Sequence, residues 1–178
     1  MRENILVIGS NGQIGTELVT ALRKIYGDSN VVASDLHQPK DESLLAGPFE
    51  ILNVLDKEAV HQIFKKYKPQ VVFHAAAHKH VPLMETSPAE AIKNNVFGTY
   101  NVVNAADKFR VERFILISTD KAVNPTSIMG ATKRICEMIV QALNKNGKTK
   151  CVAVRFGNVL GSNGSVIPIF KKQIKGGG

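Results

Sequence analysis

Gly9, Gly12 and Gly15 lie in the run Gly9-Ser10-Asn11-Gly12-Gln13-Ile14-Gly15, a spacing suited to cradling a phosphate. A tight turn takes glycine at its start. A phosphate close to the backbone takes a residue without Cβ at Gly12, and glycine at Gly15 lets a helix lie close on a strand. The first N–H groups of that helix, with the positive end of its dipole, would meet the charge. The pattern is G-x-x-G-x-x-G, not the usual G-x-G-x-x-G, and it carries weight only between a strand and a helix. That setting is present: the apolar run Asn4–Ile8 precedes it, and Ile14–Tyr26 follows with helical spacing. Twenty residues after Gly15, Asp35 ends a second strand, where a carboxylate can bond both hydroxyls of a ribose. It would repel a 2′-phosphate, and Leu36-His37 offers no Arg to hold one. The chemistry read here is binding of a dinucleotide, NAD rather than NADP.

Further along, His74-Ala75-Ala76-Ala77 closes another apolar strand, and its small residues leave room for a cofactor backbone across the sheet edge. Asp120 and Lys121 follow the strand that ends in Ser118-Thr119. Their place at the carboxyl end of a strand, where such sheets bind ligands, is the functional reading of the pair. The alternative is an exposed loop ion pair of about 0–1 kcal/mol. No His/Cys/Asp/Glu cluster has metal-ligand spacing, so no metal is expected.

Positioning these residues takes alternating strands and helices. The apolar runs Asn4–Ile8, Asn30–Ser34, Phe49–Leu52, Val71–His74, Arg113–Ile117 and Cys151–Arg155 read as strands. Ile14, Leu18, Leu22 and Ile25 share one face of the first helix. His37 to Pro48 reads as a polar loop. Asp56 N-caps a helix to Tyr67, Ser87-Pro88 opens one long helix to about Phe109, and Ile128–Asn144 is a third, ended by Asn146-Gly147. This alternation predicts an α/β fold, a doubly wound parallel sheet of Rossmann type, with ligands at the carboxyl ends of the strands.

The 178 residues fit a single domain, 1–178. Hydrophobic residues make up 44% and charged residues 21%, which excludes a disordered chain. The longest apolar run, Val71 to Ala77, is too short to span a bilayer, and no secretory leader opens the chain, so a cytoplasmic location is expected with no membrane partner. Cys136 and Cys151 read as core residues of a reducing compartment. Net charge is +8, and it is lopsided: residues 1–67 hold 7 basic and 9 acidic residues, residues 68–178 hold 16 and 6. With basic residues dispersed and aromatics at 6%, nucleic acid is the weaker reading of that charge.

The stretches His74–Met84, Ser118–Pro125, Met129–Lys133 and Arg155–Pro168 make the chain identifiable. From about Pro69 onward it resembles the CapD-like polysaccharide-biosynthesis proteins, extended short-chain dehydrogenases/reductases that act as NAD-dependent UDP-sugar 4,6-dehydratases or epimerases. Ile5–Asp35 and Gly47–Glu58 look more like short-chain-type L-threonine 3-dehydrogenase. Two accounts stay open: a chimera joined near Tyr67–Gln70, or a divergent natural chain.

The resemblance implies more about the site. Lys133 matches the family lysine that bonds the nicotinamide ribose, but Met129 occupies the position of the usual tyrosine, four residues earlier, and cannot exchange a proton. Proton work then falls to Asp120 and Lys121, with the Thr119 hydroxyl on the sugar. In the implied dehydration, hydride leaves sugar C4 for NAD while a base, in place of the usual tyrosine, takes the C4 hydroxyl proton; Lys121 removes the C5 proton, Asp120 protonates the departing C6 hydroxyl, and hydride returns to C6. As acid and base, Asp120 and Lys121 need pKa values near neutrality, which burial and mutual proximity would provide. Cofactor contacts are expected from Gly9, Asn11, Gly12, Gln13, Ile14, Gly15, Asp35, Leu36, Val54, Ala75, Ala76, Ala77, Lys79, Asn95, Ser118 and Lys133. Asn53 joins them, standing where relatives carry Asp for the adenine amino group. His80, Arg155, Asn158, Ser162 and Ser165 are expected to meet the substrate, a UDP-N-acetylhexosamine. The family chain continues past Gly178 into a segment that completes the substrate site, so little turnover is expected of this chain alone. An NAD-binding module or a scaffold without turnover, and a homo-oligomer, remain open.

Overall fold

A computed structural model describes residues 3–39, 41–78, 81–157 and 173–176. Lys79, His80, Asn158, Ser162 and Ser165 lie outside these residues. The six strands are β1 Ile5–Ile8, β2 Val31–Asp35, β3 Phe49–Ile51, β4 Val71–His74, β5 Arg113–Thr119 and β6 Lys150–Phe156. They form one sheet in the order β3-β2-β1-β4-β5-β6, parallel throughout. Parallel neighbours need crossovers, and the order reverses between β1 and β4. There Ile8 pairs with His74, so Gly9 and Ala75 leave the sheet side by side.

The crossovers are helical: α1 Gln13–Tyr26, α2 Lys57–Tyr67, α3 Val81–Thr86, α4 Pro88–Ala91, α5 Gly98–Lys108 and α6 Ile128–Asn146. Period-2 alternation of a buried strand divides its apolar side chains between two cores. Leu6 and Ile8 of β1 join Phe64 of α2, Val102 of α5 and Val140 of α6 on one face. Ile5 and Val7 join Val19 of α1 and Leu44 on the other. Asp56 caps α2 by accepting from Ala59 N at 3.0 Å, and Gly147 ends α6. Both cysteines are buried in the first core.

Three expectations are corrected. The long helix after Ser87 is broken by a π turn at Ile92–Phe97 between α4 and α5. Asn95 sits inside that turn, and its side chain is hydrogen-bonded to the backbone of His78, 17 residues earlier. In α1 the buried positions are Gly15, Val19 and Arg23, while Ile25 is 73% exposed. The guanidinium of Arg23 donates to the carbonyls of Val31, Ser43, Leu44 and Pro48, while Leu18 and Leu22 of the expected face pack half-buried against the second core. The segment after Asp35 is not all loop: Glu42–Ala46 forms a 3-10 turn, capped by Asp41.

Candidate functional site

The glycine-rich turn leaves β1 with Gly9 at φ +91°, where its N–H donates to Ser34 O at 2.8 Å. A side chain on Gly9 would strike the backbone of Ala76, and one on Gly15 would strike the Gly9 carbonyl. These two glycines are demanded by the protein itself. Gly12 is different. Its φ of −71° suits any residue, and among the described residues a Cβ there would meet Gly9 O alone, at an ordinary 3.4 Å. Nothing in the chain explains its glycine, whereas an outside group approaching the backbone does.

Other features of the turn fit the same kind of group. Gly12 opens α1 without a side-chain cap, and the first turn carries no acidic residue. Its leading N–H groups therefore suit an anion. Ser10 Oγ and Asn11 Oδ1 are buried without a hydrogen-bond partner among the described residues. Buried polar atoms are nearly always partnered, so such orphans point to an added group.

Asp35 stands beside this turn. Its Oδ2 accepts from Asn11 N at 2.9 Å and its Oδ1 from Leu36 N at 2.8 Å. Each oxygen keeps lone-pair capacity for a further donor. The Asn11 amide reaches on to the carbonyls of His37 and Gln38, at 2.9 and 3.1 Å, fixing the segment after Asp35. Leu36 is exposed. Asn53 closes its own turn, its Oδ1 accepting from Leu55 N at 3.0 Å. Val54 is buried, with its carbonyl held by Asn101 Nδ2. Ala75 N donates to Ile8 O at 2.7 Å, which holds the end of β4 against the turn.

Asn95 is 1% exposed, and its amide is spent inside the protein. Oδ1 accepts from His78 N and Asn94 Nδ2, and Nδ2 donates to His78 O and Thr132 Oγ1. It braces the segment after β4 against α6. Met129 is buried with Met84 and Ala91 in a small apolar cluster, so an apolar thioether fills the place four residues before Lys133. Lys133 is 6% exposed and donates to Ile117 O at 2.6 Å. Burial pushes its pKa down, opposed by Cys136 and Glu137.

Thr119, Asp120 and Lys121 form a surface set. Asp120 Oδ1 accepts from Thr119 Oγ1 at 2.9 Å and from Lys121 Nζ at 3.2 Å, with Asp120 and Lys121 side chains 55% and 42% exposed. Hydrogen bonds from Thr119 and Lys121 hold the Asp120 carboxyl below its ordinary range. The expected shift toward neutrality is not present. Too little burial opposes the two donors, and the carboxylate rests ionised.

Arg155 and Ser118 face the same buried residue, Glu137. The two are register partners on β5 and β6, so both point at α6. Arg155 Nε and Nη2 donate to Glu137 Oε1 and Oε2 at 2.8 and 2.6 Å, Ser118 Oγ donates to Oε1 at 2.6 Å, and Arg134 adds a contact at 3.4 Å. The Glu137 side chain is 1% exposed. The Arg155 guanidinium, against the cost of burial, holds its carboxyl at about 2. Sequence reasoning missed Glu137. Its signal was a carboxylate on the buried stripe of α6, one turn after Lys133. His74 was also missed: it is fully buried, its Nε2 lies 3.1 Å from Thr99 Oγ1, and desolvation lowers its pKa to about 3.

Comparison with known proteins puts this geometry in context. The family model described as "Polysaccharide biosynthesis protein" matches residues 5–178. The chain is 50% identical to the probable polysaccharide biosynthesis protein EpsC of Bacillus subtilis, over 99% of this chain and 31% of that protein. It is 47% identical to the capsular polysaccharide biosynthesis protein CapD of Staphylococcus aureus, over 99% and 31%. Against the UDP-N-acetylglucosamine 4,6-dehydratase (inverting) of Campylobacter jejuni it is 37% identical, over 99% and 55%. The chain thus spans about a third to just over half the length of these curated relatives.

Among solved structures, Pen from Bacillus thuringiensis superposes with a TM-score of 0.87 at 32% identity, over 99% of this chain and 56% of that one. L-threonine dehydrogenase from Clostridium difficile gives 0.81 at 30%, over 87% and 53%. UDP-glucose 4-epimerase from Brucella ovis in complex with NAD gives 0.81 at 27%, over 90% and 53%. The threonine dehydrogenase likeness is therefore present but reaches well beyond residue 67, and the family match crosses Tyr67–Gln70 without a break. With the six-stranded parallel sheet, the glycine-rich turn and the match from Ile5 to the last residue, the chain belongs to the CapD-like polysaccharide biosynthesis protein family.

Proposed function

We propose that the chain holds NAD across the carboxyl ends of β1 and β4 and serves the 4,6-dehydration of a UDP-N-acetylhexosamine. The observation that carries this reading is Gly12, a glycine that no neighbour in the protein requires, at the uncapped start of α1. The backbone of Gly9–Gly15 would hold the pyrophosphate, and the carboxylate of Asp35 the adenosine ribose. Leu36 and Asn53 would border the adenine, and Lys133 the nicotinamide ribose. An aspartate at 35 with no arginine at 36 or 37 favours a 2′-hydroxyl over a 2′-phosphate.

When bound, NAD supplies a reversible hydride acceptor. The chain's own residues supply proton handling. Thr119 offers a hydroxyl to the sugar, and Lys121 can take a proton once its ammonium is discharged. Asp120 rests as a carboxylate. To protonate a leaving hydroxyl it must first gain a proton, which a bound sugar favours by displacing Thr119 or Lys121 and excluding water.

Calorimetric titration with NAD and NADP tests the cofactor, with measurable binding of NAD and at least tenfold weaker binding of NADP expected. Equal affinities would sink the assignment of Asp35. Turnover is tested with NAD and UDP-N-acetylglucosamine, following a 4-keto-6-deoxy product in the chain and in Asp120→Asn. Unchanged turnover in the variant removes Asp120 from the reaction. The likeness to a UDP-glucose 4-epimerase supports a second reading, epimerisation, which shares the C4 oxidation but keeps the C6 hydroxyl.

A further inference from the structure

Glu137 is an ionised carboxylate inside the first core, and its oxygens are saturated by donors from three elements. Such a group is costly to bury, and four converging donors fix its position closely. Ser118 is the residue directly before Thr119-Asp120-Lys121. Arg155 is the penultimate residue of β6, two residues before Gly157, where an added Cβ would stand 3.7 Å from Asp120 Oδ2. Lys133 lies one turn earlier on α6 and donates to Ile117 O, the neighbour of Ser118. Helix α6 is thereby pinned to the end of β5 at two successive turns. Rotation or sliding of α6 would carry Lys133 away from the strand end.

Resting on the NAD reading above, we infer that Glu137 is a positioning residue: it clamps Ser118 to Arg155 and so places Lys133 and the Thr119–Lys121 segment on the nicotinamide side of the site. Arg155, exposed in part, acts through this clamp rather than on the sugar. The adenosine side, built on Gly9–Gly15 and Asp35, does not touch the clamp.

That separation gives the test. ADP carries only the adenosine and diphosphate groups, whereas NAD also reaches Lys133. Affinities for both are measured by calorimetry in the unaltered chain and in Glu137→Gln, with thermal unfolding alongside. The expected result is a loss of about tenfold in NAD affinity with ADP affinity changed less than about twofold. A merely structural role would weaken both ligands together, and an unchanged ratio of NAD to ADP affinity overturns the inference. If Glu137→Gln does not fold, Ser118→Ala, which removes one donor, is read the same way, with a loss of about threefold in the ratio expected and no loss overturning it. If the unaltered chain binds neither NAD nor ADP, the cofactor reading itself fails, a result distinct from an unchanged ratio.

Discussion

The two sides of the sheet's carboxyl edge are prepared in opposite ways. Around β1, α1 and β2 the site is made by leaving side chains out: backbone N–H groups, an uncapped helix start and a glycine with open space beside it. Around β5, α6 and β6 it is made by putting charge in: Glu137, Arg155 and Lys133 within or against the core. The first side can lose affinity without losing stability. The second cannot lose Glu137, Arg155 or Lys133 so freely, because these groups are also part of the packing. Binding and folding are separable where backbone does the work and coupled where buried ions do.

The sharpest break of this comparison lies within the turn itself. Gly9→Val places a branched side chain at φ +91° against the Ala76 backbone, and a loss of about 3 kcal/mol or more is expected in urea unfolding. Acid should act next, chiefly through two buried groups, His74 at the end of β4 and Glu137 on α6. His74 and Glu137 both have lowered pKa values in the folded state, so the unfolded chain binds more protons as pH falls. The stability from His74 is complete above about 6.5 and is lost toward about 3, while that from Glu137 is lost from about 4.5 toward about 2. Unfolding free energies from urea titrations at pH 7 and pH 4 should differ by roughly 3 kcal/mol, most of it removed in a His74→Gln background.

Arg155→Met leaves Glu137 buried with two weaker donors, and about 2–3 kcal/mol of stability should go with it. A loss below about 0.5 kcal/mol would mean that the guanidinium is an ordinary surface cation. Gly12→Ala is the counterpart in the turn: stability within about 0.5 kcal/mol of the parent, with NAD affinity reduced at least tenfold. Smallest of all, Asp120→Asn should leave the melting temperature nearly unmoved, because its ion pair is exposed.

The strands, their order along the chain and the glycine-rich strand–helix turn were legible in residues alone. Apolar runs of four to seven residues ending in Gly9, Asp35 or His74 leave little else to be, and glycine at a strand–helix junction is a local conformational demand. The π turn at Ile92–Phe97 was not legible, because it answers to hydrogen bonds from Asn95 to residues far along the chain. The pairing of Arg155 with Glu137 was not legible for the same reason: the partner is 18 residues away and meets it only when β6 joins the sheet beside β5.

By itself, then, the sequence determined the strands, most of the helices and where a glycine-rich turn joins β1 to α1, since periodicity, capping and glycine placement act over a few residues. Only the tertiary structure decided which glycine is spare, which carboxylate is buried and which is bathed in solvent. Burial and charge pairing are set by neighbours distant in the chain, and the same Asp or Glu becomes a surface anion or a clamp according to what packs over it.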